Sequence, residues 1–401
     1  MRSPLSAELF TSHGVIVHEW IEQTGGSEKV VDAIAKLFPS TDIVCLWDNA
    51  PGRFAGHRVT ESVIARTPLR GRKALSTPVA PAAWRGRVNE DYDWAIVSSH
   101  QFAHHVSFRG QRPDFRKFVY VHTPARYLWN PELDPRGQAI PVRALAPTLR
   151  RLDRVRAVEA HSIAVNSRAV QQRVAISWER PSVVVYPPVD VTVIQSQSDW
   201  AALLAPSQLA ILHSLPAEFL FGASRLVSYK RLDDVIALGA ATGLPVVLAG
   251  AGPELARLQA QAEALSVTTV FLGRVSDVLL YSLYQRAVAY VFPAVEDFGI
   301  MPVEAMAAGA AVLASNVGGT AESIVDGVSG VLCDFRSAAD CVAAVDRLSG
   351  LLPADARRRA RVFSAERFTD DFLAWVAPDS SHSRREHRIP VQAAPTVAAT
   401  T

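Results

Sequence analysis

Two stretches in the second half of the chain combine residue types suited to holding a charged, hydroxyl-rich ligand. The first runs Phe292-Pro-Ala-Val-Glu296-Asp-Phe-Gly299-Ile-Met-Pro302-Val-Glu304-Ala-Met-Ala-Ala-Gly309. A strand ending near Phe292 puts Glu296 in the loop beyond it. Pro302 fits the first position of a following helix, where its missing N–H costs nothing, and Glu304 then falls in the first turn. The backbone N–H groups of Gly299, Ile300 and Met301 are left facing outward, where they suit phosphate oxygens or sugar hydroxyls. A plainer reading is that Glu304 only complements the helix dipole.

The second stretch, Gly222-Ala-Ser-Arg225-Leu-Val-Ser-Tyr-Lys230-Arg231, supplies positive charge. Arg225 ends a strand and Lys230 stands at or just before a helix start, where a cation is misplaced unless an anion joins it. A planar fork and a point charge together suit a pyrophosphate. The competing reading pairs Lys230 with Asp233 or Asp234 one turn later, which leaves Arg225 unexplained.

The first half carries weaker signals. In Gln23-Thr-Gly25-Gly26-Ser27, two glycines allow close backbone approach to a phosphate or sugar, although such a pair also makes a plain turn. His122, in Tyr120-Val-His122-Thr-Pro124, sits at the carboxyl end of an expected strand. Asp91-Tyr92-Asp93 has the spelling of a metal–nucleotide motif but precedes an expected strand, so a solvated turn is expected there. Gly250-Ala-Gly252 lacks the third glycine of a dinucleotide fingerprint, and no NAD site is expected.

The elements that must position these residues follow from short β-branched runs alternating with longer amphipathic segments, the pattern of parallel sheets flanked by helices. Strands are expected at 14–18, 43–47, 94–98, 118–122, 162–165 and 183–186, with a helix over 28–38 capped by Ser27. The alternation resumes with strands at 219–224, 245–249, 269–272, 289–292 and 311–314. The expected fold class is thus α/β: a first Rossmann-like domain over 1–190, a connection over 191–215 and a second domain over 216–363. A final helix over 364–376 is expected to pack back on the first domain, and 377–401 to be a disordered tail.

A length of 401 residues suits two domains, and 49% hydrophobic with 20% charged residues is a globular balance. Cys45, Cys333 and Cys341 are too few and scattered for a disulfide framework or a zinc site, and read as reduced packing residues. No apolar run is long enough for a signal peptide or a membrane span, so a cytoplasmic protein is expected. The net charge is +2, with the basic excess in the first half. Its clusters Arg66/Arg70/Arg72/Lys73, Arg109/Arg112/Arg116/Lys117 and Arg150/Arg151/Arg154/Arg156 suit an anionic membrane surface, or equally a solvated face. Nucleic acid is not expected as a partner, because no aromatic-basic binding module accompanies them.

Taken together, the Glu296-x7-Glu304 segment with its following Ala-Met-Ala-Ala-Gly and the Arg225-x4-Lys230 pair resemble retaining glycosyltransferase family 4, of the GT-B fold. Val17-His-Glu-Trp20, Val121-His122-Thr-Pro-Ala-Arg126-Tyr-Leu-Trp129, Val165-Asn166-Ser167-Arg168 and Val184-Val-Tyr-Pro-Pro-Val-Asp190 look like its bacterial polysaccharide mannosyltransferase branch. The resemblance implies two domains facing each other across a cleft. It also implies transfer of a hexosyl unit, mannosyl from GDP-mannose, to a glycan or lipid-linked acceptor at the inner face of the membrane. By the same resemblance Arg225 and Lys230 hold the pyrophosphate, Glu304 bonds the ribose, and Gly273 to Val275 lie near the base. Glu296 meets the donor sugar near the reacting carbon, the amides of Phe298, Gly299, Ile300 and Met301 bind sugar and phosphate, and His122 and Gly26 approach from the other domain. Neither a metal nor a cofactor is expected beyond the nucleotide-sugar substrate. Three alternatives stay open: a UDP- or ADP-linked donor, a sugar-nucleotide epimerase, and a catalytically silent binding protein.

Overall fold

A computed structural model describes residues 12–132 and 134–378. Most of the expected tail, from residue 379 on, lies outside the described residues. Aliphatic, β-branched runs build two parallel sheets. The first contains β1 (Gly14–His18), β2 (Asp42–Cys45), β3 (Val59–Glu61), β4 (Trp94–Ser99), β5 (Arg116–Val121), β6 (Ser162–Val165) and β7 (Val183–Val184), in the order β3-β2-β1-β4-β5-β6-β7. The second contains β8 (Leu220–Ala223), β9 (Val246–Ala249), β10 (Thr269–Gly273), β11 (Ala289–Phe292), β12 (Val312–Ser315) and β13 (Val331–Cys333), in the order β10-β9-β8-β11-β12-β13. Strands β1, β8, β9 and β11 are buried end to end, as strands covered on both faces must be.

The helices that bear on the site are α1 (Gly26–Leu37), α2 (Arg126–Trp129), α3 (Ile140–Ala157), α4 (Arg168–Trp178), α5 (Leu232–Thr242), α6 (Ile300–Ala308) and α7 (Ala365–Val376). α1 buries Val30, Val31, Ile34 and Ala35 against the first sheet. It starts at Gly26 with Gly25 in the capping position, so Ser27 is not the cap. The Ser27 hydroxyl instead donates to Glu28 within the first turn, at 2.9 Å.

Residues 191–215, expected as a connection, belong to the second domain's core. Short helices at Val191–Gln195 and Pro206–Ser214 carry Val191, Ile194, Leu212 and Leu215 against Phe219, Phe221 and Val247, with Trp200 between them. Both helices are too short to show a hydrophobic period in sequence. The chain crosses between domains twice, side by side: Val189 N donates to Phe363 O at 3.0 Å and Ala365 N to Val189 O at 3.1 Å. α7 then returns to the first sheet, where Phe368, Phe372 and Trp375 pack with Ile16, Phe118 and Tyr120.

Phe372 is fully buried. Phe372→Ala is expected to cost about 3–5 kcal/mol, confined to the first domain. Urea unfolding followed by tryptophan fluorescence reads this directly, because Trp200 alone of the eight tryptophans packs in the second domain.

Strand addition reverses direction between β1 and β4 in the first sheet and between β8 and β11 in the second. Crevices beyond the carboxyl ends of strands at such switch points are where open parallel sheets bind ligands. Here the two crevices face each other.

Candidate active site

Between the sheets lies a cleft of about 410 Å³, lined by Gly26, Lys29, His100 and His122 of the first domain and by Lys230, Glu296, Gly299 and Glu304 of the second. Phe298, Ile300 and Met301 complete the second wall. Nine of the residues singled out in the sequence therefore converge: Gly26, His122, Lys230, Glu296, Phe298, Gly299, Ile300, Met301 and Glu304. Arg225 and Val275 do not join them. Arg225 is exposed and its guanidinium bonds the Tyr229 hydroxyl, while Val275 packs at the border of the second core.

α6 begins at Ile300, after Gly299 at φ 91°. A Cβ on Gly299 would stand 2.4 Å from Thr320 Oγ1, so only glycine turns the chain into this helix. The start is two residues earlier than expected. Pro302 is the third helical residue, and Glu304 sits in the second turn, beyond the reach of the end dipole. Its buried carboxylate meets Lys29 Nζ of α1 across the cleft at 2.7 Å. Burial works against the Lys29 charge, but Glu304 outweighs it and holds the ammonium above the usual lysine pKa. Gly26 on the same helix brings the domains together, with space for a Cβ limited by Ile300 Cδ1 at 3.1 Å.

Lys230 ends a 3-10 turn, Ser228–Lys230, before α5. It does not pair with Asp233 or Asp234; Arg231 takes Asp234 at 2.6 Å. Lys230 Nζ reaches Glu296 Oε1 at 2.5 Å instead. The two arrive from β8 and β11, the neighbours flanking the switch point. Two arginines of the first domain reach the same loop. Arg126 of α2 lies 2.5 Å from Asp297 and 3.6 Å from Glu296, and Arg173 of α4 bonds Asp297. Burial opposes the Arg126 charge, yet Asp297 and Glu296 raise its pKa further.

On the first wall, the hydrogen-bonding roles can be worked out from partners. His18 Nδ1 faces the Ser98 carbonyl at 3.3 Å and the Ser98 hydroxyl at 3.1 Å. A carbonyl only accepts, so this nitrogen carries the proton. The Ser98 hydroxyl, accepting from it, then donates to His122 Nε2 at 2.8 Å. Burial, and then the neighbouring His100 and His18 rings, push the His122 pKa well below the usual histidine value. A neutral His122 with Nε2 accepting has Nδ1–H left to donate to a ligand.

Behind this wall Asp153 of α3, fully buried, accepts from three rings, His105 at 3.1 Å and the Trp129 and Trp178 indoles at 2.7 Å each, with His104 Nε2 in ion-pair range at 3.0 Å. Burial raises its pKa, but the two imidazoles outweigh that and hold it well below 3.8. The stability it contributes is present above 3.8 and lost as pH falls toward the lower folded value. Asp153→Ala is expected to cost about 3–5 kcal/mol by stranding its partners, and to flatten the decline of the urea midpoint below the ordinary aspartate pKa.

Sequence reasoning assigned no role to His100, Arg126, Arg173 or Asp297. His100 follows an expected strand and was findable by the rule that singled out His122. Arg173 lies mid-helix, with no local signal. The Asp91–Asp93 turn is not fully solvated, since Tyr92 is buried and donates to Asp42 at 2.7 Å.

This arrangement of two facing parallel sheets with the site between them is the GT-B fold. Residues 210–361 match the family Glycosyl transferases group 1. That segment contains Arg225, Lys230, Glu296 and Glu304. Glycogen synthase of Mycobacterium tuberculosis is 36% identical over 165 residues, covering 39% of each chain. D-inositol 3-phosphate glycosyltransferase of Geodermatophilus obscurus is 40% identical over 132 residues, covering 31% of this chain and 29% of the relative. The chain thus spans less than half the length of these curated relatives. Among solved structures, Anabaena Alr3699/HepE in complex with UDP superposes with a TM-score of 0.66 at 19% identity, over 90% of this chain and 98% of that one.

Proposed function

We propose that this protein is a retaining, metal-independent glycosyltransferase that moves a hexosyl unit, mannosyl from GDP-mannose, to a glycan or lipid-linked acceptor in surface polysaccharide synthesis. The observation that carries the reading is the meeting of Lys230 with Glu296 at the switch point of the second sheet, facing His122 of the first. A cation for the leaving phosphate stands beside a carboxylate for sugar hydroxyls, and the amides opening α6 complete the cradle.

In the transfer, the bond from the anomeric carbon to the phosphate oxygen breaks and a bond to the acceptor oxygen forms on the same face. The acceptor proton passes to the departing phosphate. Charge grows on that phosphate, so Lys230 and the amide row act by electrostatic stabilisation. Arg225 joins them by swinging from Tyr229. Glu304 takes the ribose in place of Lys29, and the base lies toward Val275.

The nucleotide is the open variable, because relatives of the donor half bear the names of several different transferases and one structural relative is seen with UDP. A thermal-shift panel of GDP, UDP, ADP and their sugars, with and without chelator, decides it. A GDP-selective, chelator-insensitive shift supports the mannosyl reading. A UDP-selective shift replaces the donor and keeps the reaction, whereas no shift with any nucleotide removes the donor site and leaves the silent binding protein.

For the acceptor side, α3 exposes Ile140, Leu145 and Val155 beside Arg143 and Arg151. Among the described residues no helix is long and apolar enough to cross a membrane. We place this helix on the anionic inner surface, where each basic residue contributes about 1 kcal/mol. Removing both charges in Arg143→Gln/Arg151→Gln is expected to weaken co-sedimentation with phosphatidylglycerol vesicles about 30-fold. Equal partitioning of variant and wild type would reject the contact.

A further inference from the structure

Beside the relay from His18 to His122 stands a group of three side chains that the transfer does not use: His18, Glu19 and His100. Their ligand-type atoms lie within 4.8 Å of one another. His18 is fully buried, and with its proton fixed on Nδ1 by the Ser98 carbonyl, Nε2 presents a bare lone pair that has no hydrogen-bond partner. His100 Nδ1 also lacks one, although it stands 3.3 Å from Glu19 Oε2. Two donor atoms each ~2.0–2.1 Å from a tetrahedral ion stand ~3.3–3.4 Å apart, and this pair has that spacing without a hydrogen bond between them.

The surroundings are those of a coordinating set. Metal-bound histidines characteristically donate their other ring N–H to a carbonyl or carboxylate, as His18 does. Glu19 Oε1 is tied by Gln101 N at 2.7 Å and Ala103 N at 2.9 Å, which fixes the carboxylate, while Oε2 accepts only the longer bond from His100 N at 3.2 Å and is the freer oxygen. Trp20 holds the His100 ring edge-on at 4.8 Å and stacks on Trp47 at 5.2 Å. The second cluster of the same composition, His104, His105 and Asp153, differs in that both carboxylate oxygens are taken by ring N–H groups.

We propose that His18 Nε2, Glu19 Oε2 and His100 Nδ1 bind one divalent ion of the zinc class, at the cleft wall of the first domain. Two imidazoles and one carboxylate suit Zn2+ and its first-row neighbours rather than Mg2+ or Ca2+. Three protein ligands leave coordination open, and His100, which also lines the cleft, connects the ion to the substrate side. The ion is separate from the donor phosphates, which the second domain holds, so leaving-group stabilisation still needs no metal. The inference does not rest on the transferase reading.

The test uses the full chain, freed of metal by chelator and checked for folding by circular dichroism. It is then titrated with Zn2+ alone by calorimetry and with Co2+ alone by visible absorption. The expected result is one ion per chain, with a Co2+ ligand-field band typical of low coordination number. His18→Ala and His100→Ala should each weaken Zn2+ binding at least 100-fold, while His213→Ala, at an exposed position, should leave it unchanged. If the buried His18 variant does not fold, the partly exposed His100 carries the comparison. A folded wild type that takes up no ion, or a His100→Ala variant that binds as tightly as wild type, overturns the proposal. Nucleoside diphosphate binding by the same metal-free protein reports separately on the donor site.

Discussion

Lys230→Ala is expected to weaken nucleoside diphosphate binding about 10- to 100-fold, the worth of a charge-assisted hydrogen bond of about 1.5–3 kcal/mol. Turnover should fall further, by about 10²–10³-fold, because the lysine meets more negative charge in the transition state than in the bound donor. Folding is expected to survive. In the free protein Lys230 and Glu296 neutralise each other at 2.5 Å, and when the lysine is removed Arg126 remains within 3.6 Å of the same carboxylate. The loop after β11 therefore keeps a cation. Calorimetric titration with GDP and UDP, beside a transfer assay at saturating donor, checks both parts. A variant that binds and turns over like wild type would take Lys230 out of the site. Lys230→Arg is not a conservative control, because a bulky planar fork cannot reproduce a compact point charge reaching into the pocket.

The second-domain wall of the cleft was legible because its residues are close in sequence. Glu296 through Glu304 occupy one strand end, one loop and one helix start, so their proximity follows from a few residues of chain. The same loop shows what local reading cannot give. Asp297 is adjacent to Glu296, yet its partners Arg126 and Arg173 lie in the other domain and meet it only through the docking of two sheets. Nothing in their spacing encodes that docking. Lys29 and Glu304 are likewise paired across the cleft, 275 residues apart in sequence. The sequence places the start of this helix two residues late, because Pro302 suits an opening position. The left-handed Gly299 and its contact with Thr320, a packing fact, decide the true start. The strands were legible for the opposite reason: burial on both faces forces continuous aliphatic runs, and 14–18, 162–165 and 289–292 were readable without any tertiary information. Residues 191–215 gave no such run, because their apolar residues are spread over two short helices and join a core whose strands lie later in the chain.

Glu296→Gln separates sugar chemistry from phosphate binding by the sign of its effects. The charge of Glu296 is expected to act on the donor sugar's hydroxyls as the anomeric carbon becomes electron-poor. Its loss should lower turnover by about 10²–10³-fold, the range for removing one preorganised electrostatic group. Binding of the nucleotide alone should not suffer. In the free protein the carboxylate competes with incoming phosphate for Lys230, and neutralising it releases the ammonium for the ligand. GDP or UDP should therefore bind at least as tightly as in wild type, and a lower KM for donor with a lower kcat is the kinetic form of the same statement. Removing either partner of one 2.5 Å contact thus moves nucleotide affinity in different directions: down for Lys230→Ala, level or up for Glu296→Gln. A contact that served only to hold the loop would shift both variants the same way, through stability. Parallel losses of nucleotide affinity in the two variants, tracking their melting temperatures, would assign the pair to the fold and remove Glu296 from the chemistry.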